Sequence, residues 1–356
     1  MRIVQIIDSL KVGGAERMAV NIASYLSDQQ VDNILIASRQ GGGLESQLKP
    51  NVRFEVLGKN SFFDLKAFRK LYSLVKSFKP EVVHAHSTSV FWAVGVKLLL
   101  GRKIKIVFHD HYGKAESLKH SDRFLLRWIS SHINGVVVVN DLLRSWALAC
   151  MDVDNKNVIQ LNNFPYLPHF QQTTPGSTSI EILHLANFRP QKDHVTLLEA
   201  LRILESICDY EWVISLVGLS ESPEYTQLVE DKIKSLGLDS RVKFKGATSD
   251  ILPFLKASSV GVLSSESEGL SVSLLEYGLA GLHVVATDVG QTRAVLPSDK
   301  LGFVVSPKNP EALAKALCRA LENSIKGRNH LLKDHINLNF GPAQFYNQSR
   351  GCLATL

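Results

Sequence analysis

The chain has no apolar run long enough to cross a bilayer, a task that needs about 20 consecutive apolar residues. Its opening, Met1-Arg-Ile-Val-Gln-Ile-Ile, reads as a strand that meets Asp8, not as the apolar core and cleavage site of a secretory signal. Four scattered cysteines, Cys150, Cys208, Cys318 and Cys352, have neither metal-ligand spacing nor a disulfide pattern. Buried or free thiols in a reducing cytosol are expected. The G-x-G-x-x-G spacing of a dinucleotide site is missing, which argues against NAD. No Asp-x-Asp dyad is placed to hold a metal, and no nucleic-acid motif is present.

What is present describes a folded two-domain protein. With 356 residues and 45% apolar content, the chain can fill two separate cores. Its charge is uneven. Of 40 Lys/Arg and 34 Asp/Glu, residues 1–162 hold 22 and 14, leaving 18 and 20 for the rest. All the excess positive charge therefore lies in the first half, which suits an anionic partner: a membrane surface, a phosphorylated substrate or nucleic acid.

Short, β-branched runs alternate with helical phases throughout. In the first half they are Ile3–Ile7, Asn33–Ser38, Arg53–Leu57, Glu81–Ala85, Lys105–Phe108, Val136–Val139 and Val158–Leu161. In the second they are Ile180–Leu185, Trp212–Val217, Val242–Gly246, Val260–Ser264, Val284–Thr287 and Gly302–Val305. Continuous β-branched strands are those buried on both faces, and their alternation with helices predicts doubly wound parallel sheets. A Pro/Ser/Thr-rich stretch interrupts the rhythm. The expected organisation is an N-terminal domain over 1–163, a linker over 164–178 and a C-terminal domain over 179–339, with 340–356 free to return to the first. Ligands of such sheets bind beyond the carboxyl ends of the strands, so a cleft served by both domains is expected.

The most informative segment is Glu268-Gly-Leu-Ser-Val-Ser-Leu-Leu-Glu276. It follows one strand and precedes another. A glycine at a strand-to-helix turn lets backbone N–H groups approach a phosphate, and the helix dipole favours an anion there. A carboxylate before the turn can accept sugar hydroxyl protons, and one farther into the helix can reach a ribose diol. A second segment, Leu185-Ala-Asn-Phe-Arg-Pro-Gln-Lys-Asp-His194, also joins a strand to an amphipathic helix. Its cations can stabilise a departing diphosphate.

On these two segments the chain resembles family 4 glycosyltransferases, retaining enzymes of the GT-B fold, over nearly its whole length. The Glu-x7-Glu element, followed here by Val284-Val-Ala-Thr-Asp-Val-Gly290, is the family's hallmark. The resemblance implies an α/β fold of two Rossmann-like domains facing a central cleft. It implies transfer of a sugar from a nucleotide sugar, such as a UDP- or GDP-sugar, to a saccharide or lipid-linked acceptor in surface-glycan assembly. It implies that Glu268 holds the transferred sugar, Glu276 the ribose, and the backbone of Gly269, Leu270 and Ser271 the diphosphate. Lys192 matches the family's lysine. The family's arginine position is Asn187 here, and Arg189, two residues on, is the candidate substitute. Gly13-Gly14, whose glycines permit close approach and positive φ, corresponds to the loop over the donor. Gly218 and Gly246 end strands beside the base.

The family also carries a histidine after the fifth strand, and both His109 and His111 fit. A histidine there can bind the sugar or handle a proton near neutrality. With His84 and His86, these imidazoles are the set that can converge on a metal, although the resemblance implies a donor site that needs no metal or other cofactor. Three basic-apolar stretches add an expectation of peripheral binding to anionic lipid at the inner face of the cell membrane. They are Phe62–Lys79 (Lys66, Arg69, Lys70, Lys76, Lys79), Lys97–Lys105 and Arg123–Trp128. Two other readings compete: a nucleotide-sugar epimerase on the same architecture, and a basic nucleic-acid-binding protein, which would need no Glu268 and would bind with a steep salt dependence.

Overall fold

The computed structural model describes the chain except Val12, Phe62, 102–103, 113–117, His120, 168–178 and 354–356, and the side chains of 349–353. Most of the expected linker thus lies outside the described residues, as do Arg102 and Lys103 of the second basic stretch. The chain divides into two compact units, residues 1–164 with 342–356, and residues 165–341.

Unit 1 is built on a parallel sheet of seven strands: β1 (Arg2–Ser9), β2 (Asp32–Gln40), β3 (Arg53–Val56), β4 (Val82–His86), β5 (Lys105–Asp110), β6 (Gly135–Val138) and β7 (Val158–Gln160). Their spatial order is β3-β2-β1-β4-β5-β6-β7. The direction of winding reverses between β1 and β4, and that switch point opens a crevice at the strand ends. Alternate residues of β1 face opposite layers. Val4 and Ile6 join Leu71, Val75 and Trp92 on one side. Ile7 joins Leu10, Ala19 and Val20 on the other.

The helix Pro342–Leu353 also belongs to this unit, with Phe345 against Phe164 and Tyr346 edge-on to Tyr25.

Unit 2 repeats the plan with six parallel strands: β8 (Ile180–Leu185), β9 (Trp212–Val217), β10 (Val242–Gly246), β11 (Val260–Leu263), β12 (His283–Thr287) and β13 (Phe303–Val305). The order β10-β9-β8-β11-β12-β13 places its switch point between β8 and β11. Two buried clusters cover its faces, one with Leu197, Leu201, Trp212 and Leu317, the other with Leu183, Leu274, Tyr277 and Ile336. Gly261 of β11 is required by packing, because a Cβ there would lie 2.5 Å from the Tyr277 ring.

Helix starts follow local chemistry. Asp64, Asn140, Asp193, Ser222, Asn309 and Asn329 each accept a backbone N–H from the first turn of the helix that follows. Such caps satisfy amides that otherwise have no intrahelical partner.

Candidate active site

The switch point of unit 2 brings the two sequence segments together. The strand β8 runs into Ala186–Arg189, a single turn Pro190–Lys192, and the helix His194–Ile207. The strand β11 runs into residues 264–271 and the helix Val272–Leu279. Lys192 Nζ pairs with Glu268 Oε1, and both side chains are mostly buried, at 13% and 14% exposure. Ser265 Oγ donates to the same carboxylate oxygen at 2.8 Å.

Backbone bonds fix this pair from behind. Ser264 Oγ donates to Lys192 O at 2.8 Å, and Glu266 N–H to Gln191 O at 2.9 Å. Thr287 Oγ1 donates to Ser265 O at 2.6 Å, and Gln291 N–H to Gly269 O at 2.9 Å. From the helix, Ser273 Oγ donates to Leu185 O at 2.9 Å, while Tyr277 Oη accepts from Leu185 N–H at 2.6 Å. Both turns are thereby locked to one another through main chain.

Gly269 itself is open: a Cβ there would meet nothing within 4 Å. Beyond it, Leu270 is half-buried and Ser271 buried, and Ser271 makes no side-chain cap to the helix it precedes. The first amides of that helix point away from its carbonyls, with the positive end of the dipole. Glu276, on the same helix, is only 7% exposed.

Asn187 proves to be a tether. Its Oδ1 accepts from Leu219 N–H at 3.1 Å, and its Nδ2 donates to Glu221 Oε1 at 2.5 Å. Arg189 reaches the same Glu221 at 3.7 Å and keeps 43% of its side chain exposed. Gly218 makes room for this loop, since a Cβ would fall 2.0 Å from Ala186 O. Gly246, at φ +66°, accepts Gly218 N–H at 2.9 Å.

Two buried histidines back Lys192. His184 and His194 lie edge to face at 4.8 Å, and His194 stacks on Phe188 at 4.5 Å. Burial lowers both pKa values, His194 to about 3, and Lys192 lowers them further.

In unit 1, Gly13 and Gly14 follow β1 as expected, but neither uses a left-handed conformation. Gly13 is extended at φ −168° and Gly14 opens the helix Gly14–Asp28. A Cβ on Gly14 would meet nothing within 4 Å, and one on Gly13 would meet only the flexible carboxylate end of Glu16. Nearby, burial raises the pKa of Glu16.

The histidines of β4 and β5 form an array. His109 is fully buried, with Phe345 6.2 Å from its ring, whereas His111 is partly exposed. Burial drives all four of His84, His86, His109 and His111 below the usual range.

Two of the basic stretches carry cations with internal work. Lys97 Nζ donates to His132 O and Asn134 Oδ1, both at 2.8 Å. Arg123 makes a two-pronged pair with buried Asp110, at 2.5 and 3.1 Å. Beside it Phe124, Leu125 and Trp128 are exposed, and the first two line an apolar pocket of about 410 Å³ together with Phe91 and Phe108.

Sequence reasoning missed Ser265 and Tyr277 as parts of the site, and met Gly290 and Thr287 only inside the 284–290 run, without a role for either. Of these only Gly290, three residues after the end of β12, left a local signal.

Comparison with known proteins agrees with this architecture. The profile described as glycosyl transferases group 1 matches residues 168–335, and that of glycosyltransferase family 4 matches residues 12–164. The Escherichia coli UDP-Gal:alpha-D-GlcNAc-diphosphoundecaprenol alpha-1,3-galactosyltransferase is 24% identical, over 88% of this chain and 86% of its own. The Bacillus anthracis N-acetyl-alpha-D-glucosaminyl L-malate synthase is 24% identical, over 89% and 87%. Among solved structures, a glycosyltransferase from Rickettsia africae superposes with a TM-score of 0.76 at 21% identity, covering 100% of this chain and 99% of its own. Anabaena HepE, solved with UDP and glucose, gives 0.76 at 19% identity with full coverage of both. With one family profile on each unit, the chain belongs to the family 4 glycosyltransferases and has their GT-B fold.

Proposed function

We propose that this glycosyltransferase is retaining, and that it takes its sugar from a nucleotide-sugar donor whose diphosphate binds at the switch point of unit 2. The observation that carries the reading is the Lys192–Glu268 pair, set beside the open Gly269 and the free amides of the following helix. A diphosphate at Gly269–Ser271 competes for Lys192, which then neutralises charge developing on the leaving group. Glu268, released from the ammonium, accepts sugar hydroxyl protons. Arg189 is the second cation, because Asn187 has no charge to offer. Glu276 takes the ribose, and Gly218 and Gly246 border the base.

Departure of the diphosphate leaves an oxocarbenium-like centre that the acceptor hydroxyl attacks from the same face, its proton passing to the departing diphosphate oxygen, with no protein nucleophile. Of the two histidines, His111 is the better sugar contact, since it alone keeps solvent access. A UDP-hexose donor is supported by the UDP-Gal used by the Escherichia coli relative and the UDP-glucose bound to Anabaena HepE. No metal takes part in transfer.

The acceptor is a saccharide or a lipid-linked saccharide in glycan assembly. Among the described residues, no helix is long and apolar enough to cross a membrane. Phe124, Leu125 and Trp128 with the basic stretches support peripheral contact of unit 1 with anionic lipid at the cytoplasmic face. Thermal stabilisation by a panel of nucleotide sugars, followed by NMR of the product's anomeric configuration, tests the proposal. A melting point raised by one nucleoside diphosphate series and retention at the anomeric carbon are expected. Inversion, or indifference to every nucleotide, refutes it.

A further inference from the structure

The imidazole array of unit 1 has a geometry that sugar transfer does not explain. In the parallel pair β4/β5, His86 is in register with His109, and side chains two apart share a face. His84, His86, His109 and His111 therefore project to one side, towards Phe164 and Phe345. His84 Nε2 and His109 Nδ1 are 3.2 Å apart, and His86 Nδ1 and His111 Nε2 are 3.1 Å apart. His86 Nε2 meets Gln5 Oε1 at 3.2 Å. One nitrogen each of His84, His86 and His109 lie within 4.8 Å of one another.

As a hydrogen-bonded cluster this arrangement is incomplete. His109 Nε2 and Gln5 Nε2 are buried without a partner, and buried polar groups in folded proteins are almost always paired. As a ligand set it is close to complete. Two nitrogens bound at about 2.0–2.1 Å to a tetrahedral zinc stand about 3.3 Å apart, the spacing already found between His84 and His109. The third nitrogen needs only side-chain adjustment.

We propose that His84, His86 and His109 bind one divalent transition-metal ion of the zinc class. All-nitrogen imidazole sets suit zinc, cobalt, nickel or copper and not magnesium or calcium. Gln5 is placed to orient His86 from behind. The ion ties β4 to β5 beneath the helix Pro342–Leu353 and is structural; transfer does not pass through it.

Tag-free, full-length protein stripped with a chelator is titrated with cobalt(II) and then zinc(II). Expected are one ion per chain, the intense visible bands of low-coordinate cobalt, their loss on adding zinc, and a higher melting temperature with either ion. His84→Ala and His86→Ala should each weaken binding by more than about 100-fold, beyond the 10–100-fold typical of outer partners. The exposed His330→Ala in unit 2 should bind as the wild type does. Circular dichroism checks folding, and His84→Gln and His86→Gln replace any alanine variant that fails it. A wild type that develops no such cobalt bands overturns the proposal, as does stoichiometric binding that survives loss of His84 and His86.

Discussion

Gly290 offers the sharpest test of how the site of unit 2 is held. It stands after β12 at φ +53°, and a Cβ placed on it would lie 2.2 Å from both Glu268 O and Gly269 O. Real Cβ atoms essentially never approach closer than 3.0 Å, so Gly290→Ala must push the 268–269 turn or its own loop aside by about 0.8 Å. Left-handed backbone costs an alanine roughly 1–2 kcal/mol, and overpacking adds roughly 1–3 kcal/mol. The sum of about 2–5 kcal/mol corresponds to a fall of roughly 4–20 °C in melting temperature for a unit of this size. A displacement near 1 Å at reacting groups can lower turnover by about 10²-fold. Gly237→Ala is the control: φ is +68°, but nothing lies within 4 Å of the new Cβ. It should lose only the backbone part, roughly 1–2 kcal/mol, and keep full transfer activity. Scanning calorimetry and initial-rate assays on both variants decide. If Gly290→Ala matches Gly237→Ala in both stability and turnover, the turn is not braced by this contact and the reasoning fails.

Lys192→Ala and Glu268→Ala should each lower transfer by at least about 10²-fold, comparable to removing an oxyanion donor; near-normal turnover in either would remove that residue from the chemistry. Gly269→Ala adds a methyl to open space, so its stability should stay within about 0.5 kcal/mol of wild type while donor KM rises, and an unchanged KM would take the diphosphate away from this turn. Acid should destabilise unit 2 through His184 and His194, whose folded pKa values lie below the unfolded one. The unfolded chain then binds protons first, so stability is full above about pH 6.5 and falls by about 1.4 kcal/mol per histidine per pH unit below it. Urea midpoints at pH 7.5 and 5.5 measure this, and His194→Leu should reduce the slope by one histidine's share, with His184, His283 and the buried histidines of unit 1 keeping the rest; a slope that the variant leaves intact assigns the loss elsewhere.

The sheets were legible because their strands are short, continuous and β-branched, a pattern that fits buried parallel strands. Each of the thirteen runs read from sequence overlaps an observed strand. Chain ends of strands moved by a residue or two, as where β4 extends to His86. The meeting of Lys192 with Glu268 was foreseeable from two strand-to-helix turns, although their adjacency depends on β8 pairing with β11 across 78 residues. Less was visible where a distant contact decides. His109 and His111 are equivalent in sequence; Phe345, from the other end of the chain, covers the first. Lys97 reads as a surface cation, yet two oxygens of the 132–134 turn take its ammonium. Asn187 looks like a lost charge and instead holds the amide of Leu219.

That last substitution shows how the site divides its labour. An arginine at position 187 would give the loop a cation but could not accept the Leu219 N–H, because guanidinium has no acceptor. With asparagine, the loop gains an acceptor and the charge moves to Arg189, whose exposed end is loosely paired to Glu221. The residues that position the site, Ser265, Thr287, Tyr277, Gly290 and Asn187, act through main-chain groups. Those proposed to meet the donor, Lys192, Glu268 and Arg189, are charged side chains at the ends of that scaffold. Electrostatic stabilisation is effective when its dipoles and charges do not have to reorganise during reaction. A frame fixed by backbone hydrogen bonds meets that condition and leaves only the Lys192–Glu268 pair to open. Donor affinity should therefore depend on the strength of that one pair: Glu268→Gln, which frees the ammonium without removing the side chain, should bind nucleoside diphosphate alone more tightly than wild type while transferring sugar more slowly. Equal or weaker diphosphate binding in titration calorimetry would show that Lys192 is not released to the phosphates.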